Sequence, residues 1–190
     1  TSPNDEQLII SLANPASPPI DEAPSPFAAT SPVDEEILTQ ALKTSMEHWG
    51  NPSSIHEAGT DARKIFEEAR CRAAKALGVK PETVFFTLGG TESDHLALLS
   101  VLSRPQKGSV VLSAIEHPAL REICRMIENC GWKAITVNPN KDGIITPEAV
   151  TGALKEDTAF VTVMAVNNET GAITDIAAIA KALRAAVDHV

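Results

Sequence analysis

The sequence predicts an α/β fold: a mainly parallel sheet, buried on both faces between layers of helices. Three observations carry that expectation. From about residue 84 onward, short apolar runs alternate with amphipathic stretches of helical spacing. The runs are continuously apolar rather than alternating with polar residues, as strands covered on both faces are. Turn residues punctuate each change of pattern, as at Gly89-Gly90 and Asp142-Gly143. With 190 residues and 43% hydrophobic content, the chain is long enough to bury one core.

Residues 1–27 are rich in Pro, Ser, Ala and acidic side chains. One apolar patch (Leu8, Ile9, Ile10, Leu12) precedes Pro15, Pro18, Pro19, Pro24 and Pro26, which forbid regular structure. This stretch is expected to be a poorly ordered arm, and residues 28–190 the folded part. Ser31 and Asp34 read as a capping box around Pro32, opening a helix whose apolar face is Ile37, Leu38, Ala41, Leu42 and Met46. Gly50-Asn51-Pro52 ends it. A second helix is expected over roughly 57–77, with Ala62, Ile65, Phe66, Ala69, Ala73 and Leu77 on one face and Gly78 as a left-handed cap.

The alternating region follows. Val84-Phe85-Phe86 is expected as a strand, then a glycine turn and a helix over about 91–102. Val110-Val111-Leu112 is the next strand, with a helix over 118–129. Ala134 to Val137 is a strand, and a helix begins near Pro147. Phe160 to Met164 is a strand, and Asp175 caps a last helix through Ile176, Ile179, Ala180 and Leu183.

The formal net charge of −9, with both signs interspersed and no basic stripe, argues against nucleic-acid binding. Cys71, Cys124 and Cys130 show no zinc-type spacing, so a reducing compartment and buried thiols are expected, and no metal site. No apolar run approaches membrane-spanning length, and the first residues lack a secretory layout. A cytoplasmic, membrane-free protein is the expectation.

Three segments carry chemistry, each placed after a strand. Thr87-Leu88-Gly89-Gly90-Thr91-Glu92-Ser93 joins an expected strand to a helix. Free amides and the helix dipole favour an anion there, and Thr91 adds a hydroxyl. It lacks the third glycine of a dinucleotide fingerprint and the lysine of a Walker loop, so it reads either as a phosphate cradle or as a plain structural turn. His117, in Ser113-Ala114-Ile115-Glu116-His117-Pro118, lies where open α/β sheets place ligands; it can stack on a planar ring, shuttle protons, or simply cap a helix. Val166-Asn167-Asn168-Glu169-Thr170-Gly171 offers two amides to a ligand or to a turn. Convergence of all three on one rim of the sheet weighs more than any one alone. His48, His56 and His95 read as helix-end or helix residues without evident partners. Glu67 and Glu68 read as a solvated helix face.

Together with Gly50-Asn51-Pro52-Ser53-Ser54-Ile55-His56, these segments occur in an order and spacing that resemble the cysteine desulfurases, in the class V aminotransferase group of pyridoxal-phosphate enzymes. The resemblance runs from about Ala29 to the carboxyl end. It implies the large domain of a fold type I pyridoxal-phosphate transferase, three layers α/β/α. Gly90 and Thr91 would hold the phosphate of pyridoxal 5'-phosphate. His117 would stack on its ring and take part in catalytic proton transfer. Asn168 would hydrogen-bond its phenolic oxygen.

The implied reaction takes sulfur from L-cysteine, giving alanine and an enzyme persulfide for iron–sulfur cluster assembly. Implied partners are a second copy of the intact enzyme and a sulfur-acceptor protein. Selenocysteine lyases and other class V aminotransferases share these motifs.

The departures are as informative. Pro26 to Pro32 does not match the family's opening, and Ala165 stands where the family usually has His. The family's cofactor-bearing lysine, its sulfur-accepting cysteine and the Asp and Gln after the next strand have no counterpart in this sequence. The chain is therefore expected to hold an incomplete, amino-terminal part of the domain, with its second, third and fourth strands adjacent and its first isolated. By itself it is expected to be inactive, unstable or dependent on association.

Overall fold

The computed structural model describes residues 32–187. The expected disorder of residues 1–27, and Ser31 as part of a capping box, lie outside them. The described chain forms two compact units, divided between Phe86 and Thr87.

In the first unit, α1 spans Glu35–Glu47. Its N-cap is Asp34, whose carboxylate accepts the Ile37 amide at 3.0 Å. Pro32 therefore precedes the helix rather than occupying its first position: Asp34, followed directly by the acidic first-turn pair Glu35 and Glu36, makes the stronger start signal. No residue of α1 is buried. Ile37, Leu38, Leu42 and Met46, which carry its apolar period, are exposed.

Helix α2 spans Glu57–Leu77, as its apolar period and Gly78 predict. Gly78 adopts φ 68°, and its amide closes the helix on Ala74 and Lys75 carbonyls. Gly50 and Gly59 allow the loop after α1 to lie against the start of α2: a Cβ on Gly50 would fall 2.1 Å from the Ala58 carbonyl oxygen. His48 closes α1 and meets Asp61 of α2, Nδ1 to Oδ2, at 2.5 Å.

The segment Val84-Phe85-Phe86 is not a strand. Its backbone enters no ladder among the described residues, and the Val84 carbonyl instead accepts from the Arg70 guanidinium. Arg70 also lies over the rings of Phe66 and Phe86, which meet edge to face at 5.2 Å. Apolar content alone does not make a strand when no neighbour pairs with it.

In the second unit, helix α3 (Gly90–Leu99) runs into a 3-10 turn at Ser100–Ser103. Then follow β1 (Ser109–Ser113), α4 (Pro118–Asn129), β2 (Lys133–Val137), α5 (Pro147–Ala153), β3 (Thr158–Thr162) and α6 (Ile176–Val187). The last strand starts and ends two residues earlier than its apolar run suggests. The sheet is parallel throughout, in the order β2-β1-β3. That is the adjacency expected for the second, third and fourth strands.

The central position of β1 explains its wholly buried pattern. Side chains alternate across it. Val110 and Leu112 join Leu98 and Val101, Ile123 and Ile127 of α4, and Trp132 on one face. Val111 joins Val137, Ile145, Val150 of α5 and Ile179 of α6 on the other. Two apolar clusters, one on each face of a single sheet, make the three layers α/β/α of the expected fold class. At the amino end of β1, the Ser109 hydroxyl is tied to Asp157 at 2.8 Å and to Thr158 at 3.0 Å.

Candidate functional site

The site lies in the second unit, at the carboxyl ends of β1 and β3, where parallel sheets open their ligand crevices. Helix α3 borders it, packed against α4.

The start of α3 is formed by Gly89-Gly90. Gly89 is the N-cap, with extended backbone and no side chain to satisfy the first amides. The amides of Gly90 and Thr91, in the first turn, have no partner within the helix. Thr87, Glu92 and Ser93 shape the approach. The Glu92 carboxylate folds back to accept the Leu88 amide at 2.6 Å, and the Thr87 and Ser93 hydroxyls share a bond of 2.7 Å. A Cβ at Gly89 would meet nothing within 4 Å, so the face toward the helix start is open, and Gly89, Gly90 and Thr91 are all exposed. An uncapped, open helix start with an adjacent hydroxyl suits a phosphate group.

His117 is the N-cap of α4, exposed, with Pro118 at the first helical position. Its Nδ1 accepts the Ala119 amide at 3.2 Å, which assigns the proton of a neutral ring to Nε2. Capping and ligand contact are thus compatible, because they use different ring atoms.

Asn167 and Asn168 divide their tasks. Asn167 is buried, and its Oδ1 accepts the amides of Glu169 and Thr170 at 3.0 and 2.9 Å and the Thr170 hydroxyl at 3.1 Å. This closes the turn, and Gly171 (φ 74°) completes it. Asn168 is exposed on the same turn.

The loops after β1 and β3 are joined by two bonds. Glu116, 4% exposed, accepts the Ser113 hydroxyl at 2.6 Å and the Met164 amide at 2.7 Å through one carboxylate oxygen. Asn167 Nδ2 donates to the Ile115 carbonyl at 3.2 Å. Burial raises the Glu116 pKa above the ordinary carboxylate range; the bonds from Ser113 and Met164 oppose this, and the charge of Asp94 adds to it.

Asp94, one turn beyond Thr91, is likewise raised by burial, with His117 and His95 acting in the opposite direction. The His95 Nε2 atom is buried without a hydrogen-bond partner.

The structure thus brings His117 and the loop of Asn168 together, with Gly90 and Thr91 on the adjoining helix. His48 and His56 belong to the first unit. His48 has the partner Asp61, and His56 precedes α2 without capping it through its side chain. Glu116 and Asp94 are the residues that motif reading left without a role. A carboxyl group buried beside a strand end is visible only in three dimensions. Cys124 is buried, its thiol pushed up to about 11 by burial and then by Glu128 and Glu116, whereas Cys71 and Cys130 are exposed, contrary to the expected burial of all three. Among the described residues, no helix is long and apolar enough to cross a membrane, and no cluster of three or more metal-ligating side chains occurs.

The sequence profile of the aminotransferase class-V family matches residues 27–190. A cysteine desulfurase IscS of Stutzerimonas stutzeri is 39% identical over 164 residues, covering 84% of this chain and 41% of that protein. The cysteine desulfurase IscS of Dictyoglomus turgidum is 36% identical over 157 residues, covering 82% and 40%. Among solved structures, SspA in complex with cysteine is similar with a TM-score of 0.79 at 30% identity, over 85% of this chain and 46% of that one. A NifS-like protein gives 0.78 at 31% identity, over 85% and 45%. The chain spans about two fifths of the length of the curated relatives it matches. With the expected strand order observed and the family profile matched over most of its length, the chain belongs to the class-V aminotransferase family.

Proposed function

We propose that this chain forms the phosphate- and ring-binding part of a pyridoxal-phosphate site in a cysteine desulfurase. The observation that carries the reading is the open, uncapped start of α3 on the unit where the loops of His117 and Asn168 are held together at one edge of the sheet. The amides of Gly90 and Thr91 and the Thr91 hydroxyl would bind the phosphate, favoured by the helix dipole. The His117 ring would lie against the cofactor ring and exchange a proton at Nε2, its Nδ1 being engaged by Ala119. The Asn168 amide would orient the ring through its phenolic oxygen. When bound, pyridoxal phosphate supplies an electron sink for charge developing next to the substrate's amino group.

The relatives named cysteine desulfurases, and the similarity to SspA in complex with cysteine, support L-cysteine as substrate. In the whole protein, the substrate's carbon–sulfur bond breaks, sulfur passes to an enzyme thiol as a persulfide, and alanine leaves. Iron–sulfur cluster assembly is the destination this reading favours for that sulfur. Cys124 is unsuited to receive it, because a thiol pushed up to about 11 is almost wholly protonated at neutral pH.

Pyridoxal phosphate titration of the purified chain tests the reading, followed by calorimetry and by borohydride labelling. The expected result is weak binding that inorganic phosphate competes away, with no lysine labelled. No binding at all, or binding indifferent to phosphate, contradicts the cradle. A single lysine labelled in stoichiometric yield contradicts the assignment of the cofactor-bearing lysine to a part of the family sequence not matched here.

A further inference from the structure

The cofactor reading assigns no role to two buried polar side chains, each directly preceding a residue placed at the ring. Glu116 precedes His117, and Asn167 precedes Asn168. We propose that Glu116 and Asn167 are positioning residues that lock these two loops to each other, so that the contacts of His117 and Asn168 form as one unit. The proposal rests on the cofactor reading for the identity of the ligand, but not for the linkage itself.

The bonding is reciprocal. From the β1 loop, Glu116 holds the Met164 amide across 48 positions of sequence at 2.7 Å. From the β3 loop, Asn167 reaches back 52 positions to the Ile115 carbonyl at 3.2 Å. Each side chain is also fixed within its own loop. Glu116 accepts the Ser113 hydroxyl at 2.6 Å, and Asn167 Oδ1 takes two amides and a hydroxyl of the following residues. A bridge between Val166 and Ile173, with the Asn167 amide on the Ala172 carbonyl at 2.9 Å, closes the base of the second loop. Neither loop can move without breaking a bond to a buried partner.

A role in stability alone accounts poorly for this choice of residues. Burying a carboxylate is costly unless donors surround it, and an apolar pair of the same volume generally packs at least as well. What the carboxylate adds is direction: one oxygen fixes both the end of β1 and the backbone beyond β3. Preorganised contacts to a ligand require supports of this kind.

The test uses the ligand-free chain first. Asn167→Asp keeps the Oδ1 turn but removes the donor to Ile115; Glu116→Ala removes the clamp, and Glu116→Gln keeps an acceptor for Met164. Expected in NMR spectra, N167D shifts the His117 ring signals, E116A shifts the Asn168 side-chain amide signals, and E116Q leaves both near their original positions. Should E116A fail to fold, N167D carries the test.

For pyridoxal phosphate, N167D and E116A are each expected to weaken binding about tenfold, the size of one lost charge-assisted or buried hydrogen bond, with inorganic phosphate affinity unchanged and E116Q restoring binding. Shifts confined to the mutated loop, or equal losses for phosphate and cofactor, overturn the proposal. If the unmodified chain binds no cofactor, the cofactor reading fails, and the cross-loop NMR shifts alone decide the linkage.

Discussion

The buried Glu116 carboxylate accepts the Met164 amide at 2.7 Å, joining the backbone just beyond β3 to the loop after β1. A carboxyl whose folded-state pKa is raised by burial carries a definite sign for stability. Its contribution is fully present below the unfolded pKa and is lost as pH rises through the folded value. Glu116→Gln keeps the acceptor and removes the charge. The variant is therefore expected to melt at a higher temperature than the parent at neutral pH, with the gap narrowing as pH falls into the ordinary carboxylate range. Thermal melts of both proteins across the acid range check this.

His117 serves two purposes that substitution separates. His117→Ala removes the acceptor for the Ala119 amide and is expected to cost about 1 kcal/mol, the usual size of an N-cap. His117→Asn supplies a capping oxygen and is expected to recover most of that stability without recovering affinity for pyridoxal phosphate. Urea unfolding and calorimetric titration of both variants measure the two effects independently.

The thiols should differ in reactivity by position. Cys71 and Cys130 are exposed, while Cys124 is buried and pushed up to about 11. A chromogenic disulfide reagent at neutral pH is expected to modify two thiols rapidly in the folded chain and the third only on denaturation. Mass mapping of the slow thiol to Cys71 or Cys130 contradicts the placement of α4.

Core and surface apolar residues should separate as sharply. Ile127, fully buried beside β1, is expected to cost about 2–5 kcal/mol when truncated to Ala. Ile37 of α1, 62% exposed, should cost under about 0.5 kcal/mol by the same measurement, denaturant unfolding.

These contrasts mark where local sequence decided the structure. Helices α2 and α4 follow their predicted bounds because their signals are local: an apolar period, Gly78 after one and Pro118 opening the other. The strands β1 and β2 are legible because each carries a short apolar run with a helix following it. Val84-Phe85-Phe86 has the same composition, but a strand exists only through a paired neighbour, and pairing is not a local property. The apolar period of α1 correctly marks a helix, yet says nothing of what covers it.

Within the site, the chemical types at Gly90, Thr91, His117 and Asn168 could be picked from turn and strand-end positions. The roles of Glu116 and Asn167 could not, because their partners lie about fifty residues away in sequence. Two adjacent asparagines look alike on paper. Only the turn closed by Asn167 distinguishes the buried one from its exposed neighbour.

In the proposed reading, the start of α3 and the loops of His117 and Asn168 form one cradle for pyridoxal phosphate. Amide chemical-shift mapping during titration of the isotope-labelled chain tests it most directly. The largest changes are expected to fall together on Gly90, Thr91, His117 and Asn168, and Thr91→Ala is expected to weaken cofactor binding about tenfold. Changes confined to one of the three segments, or falling on other parts of the chain, would contradict it.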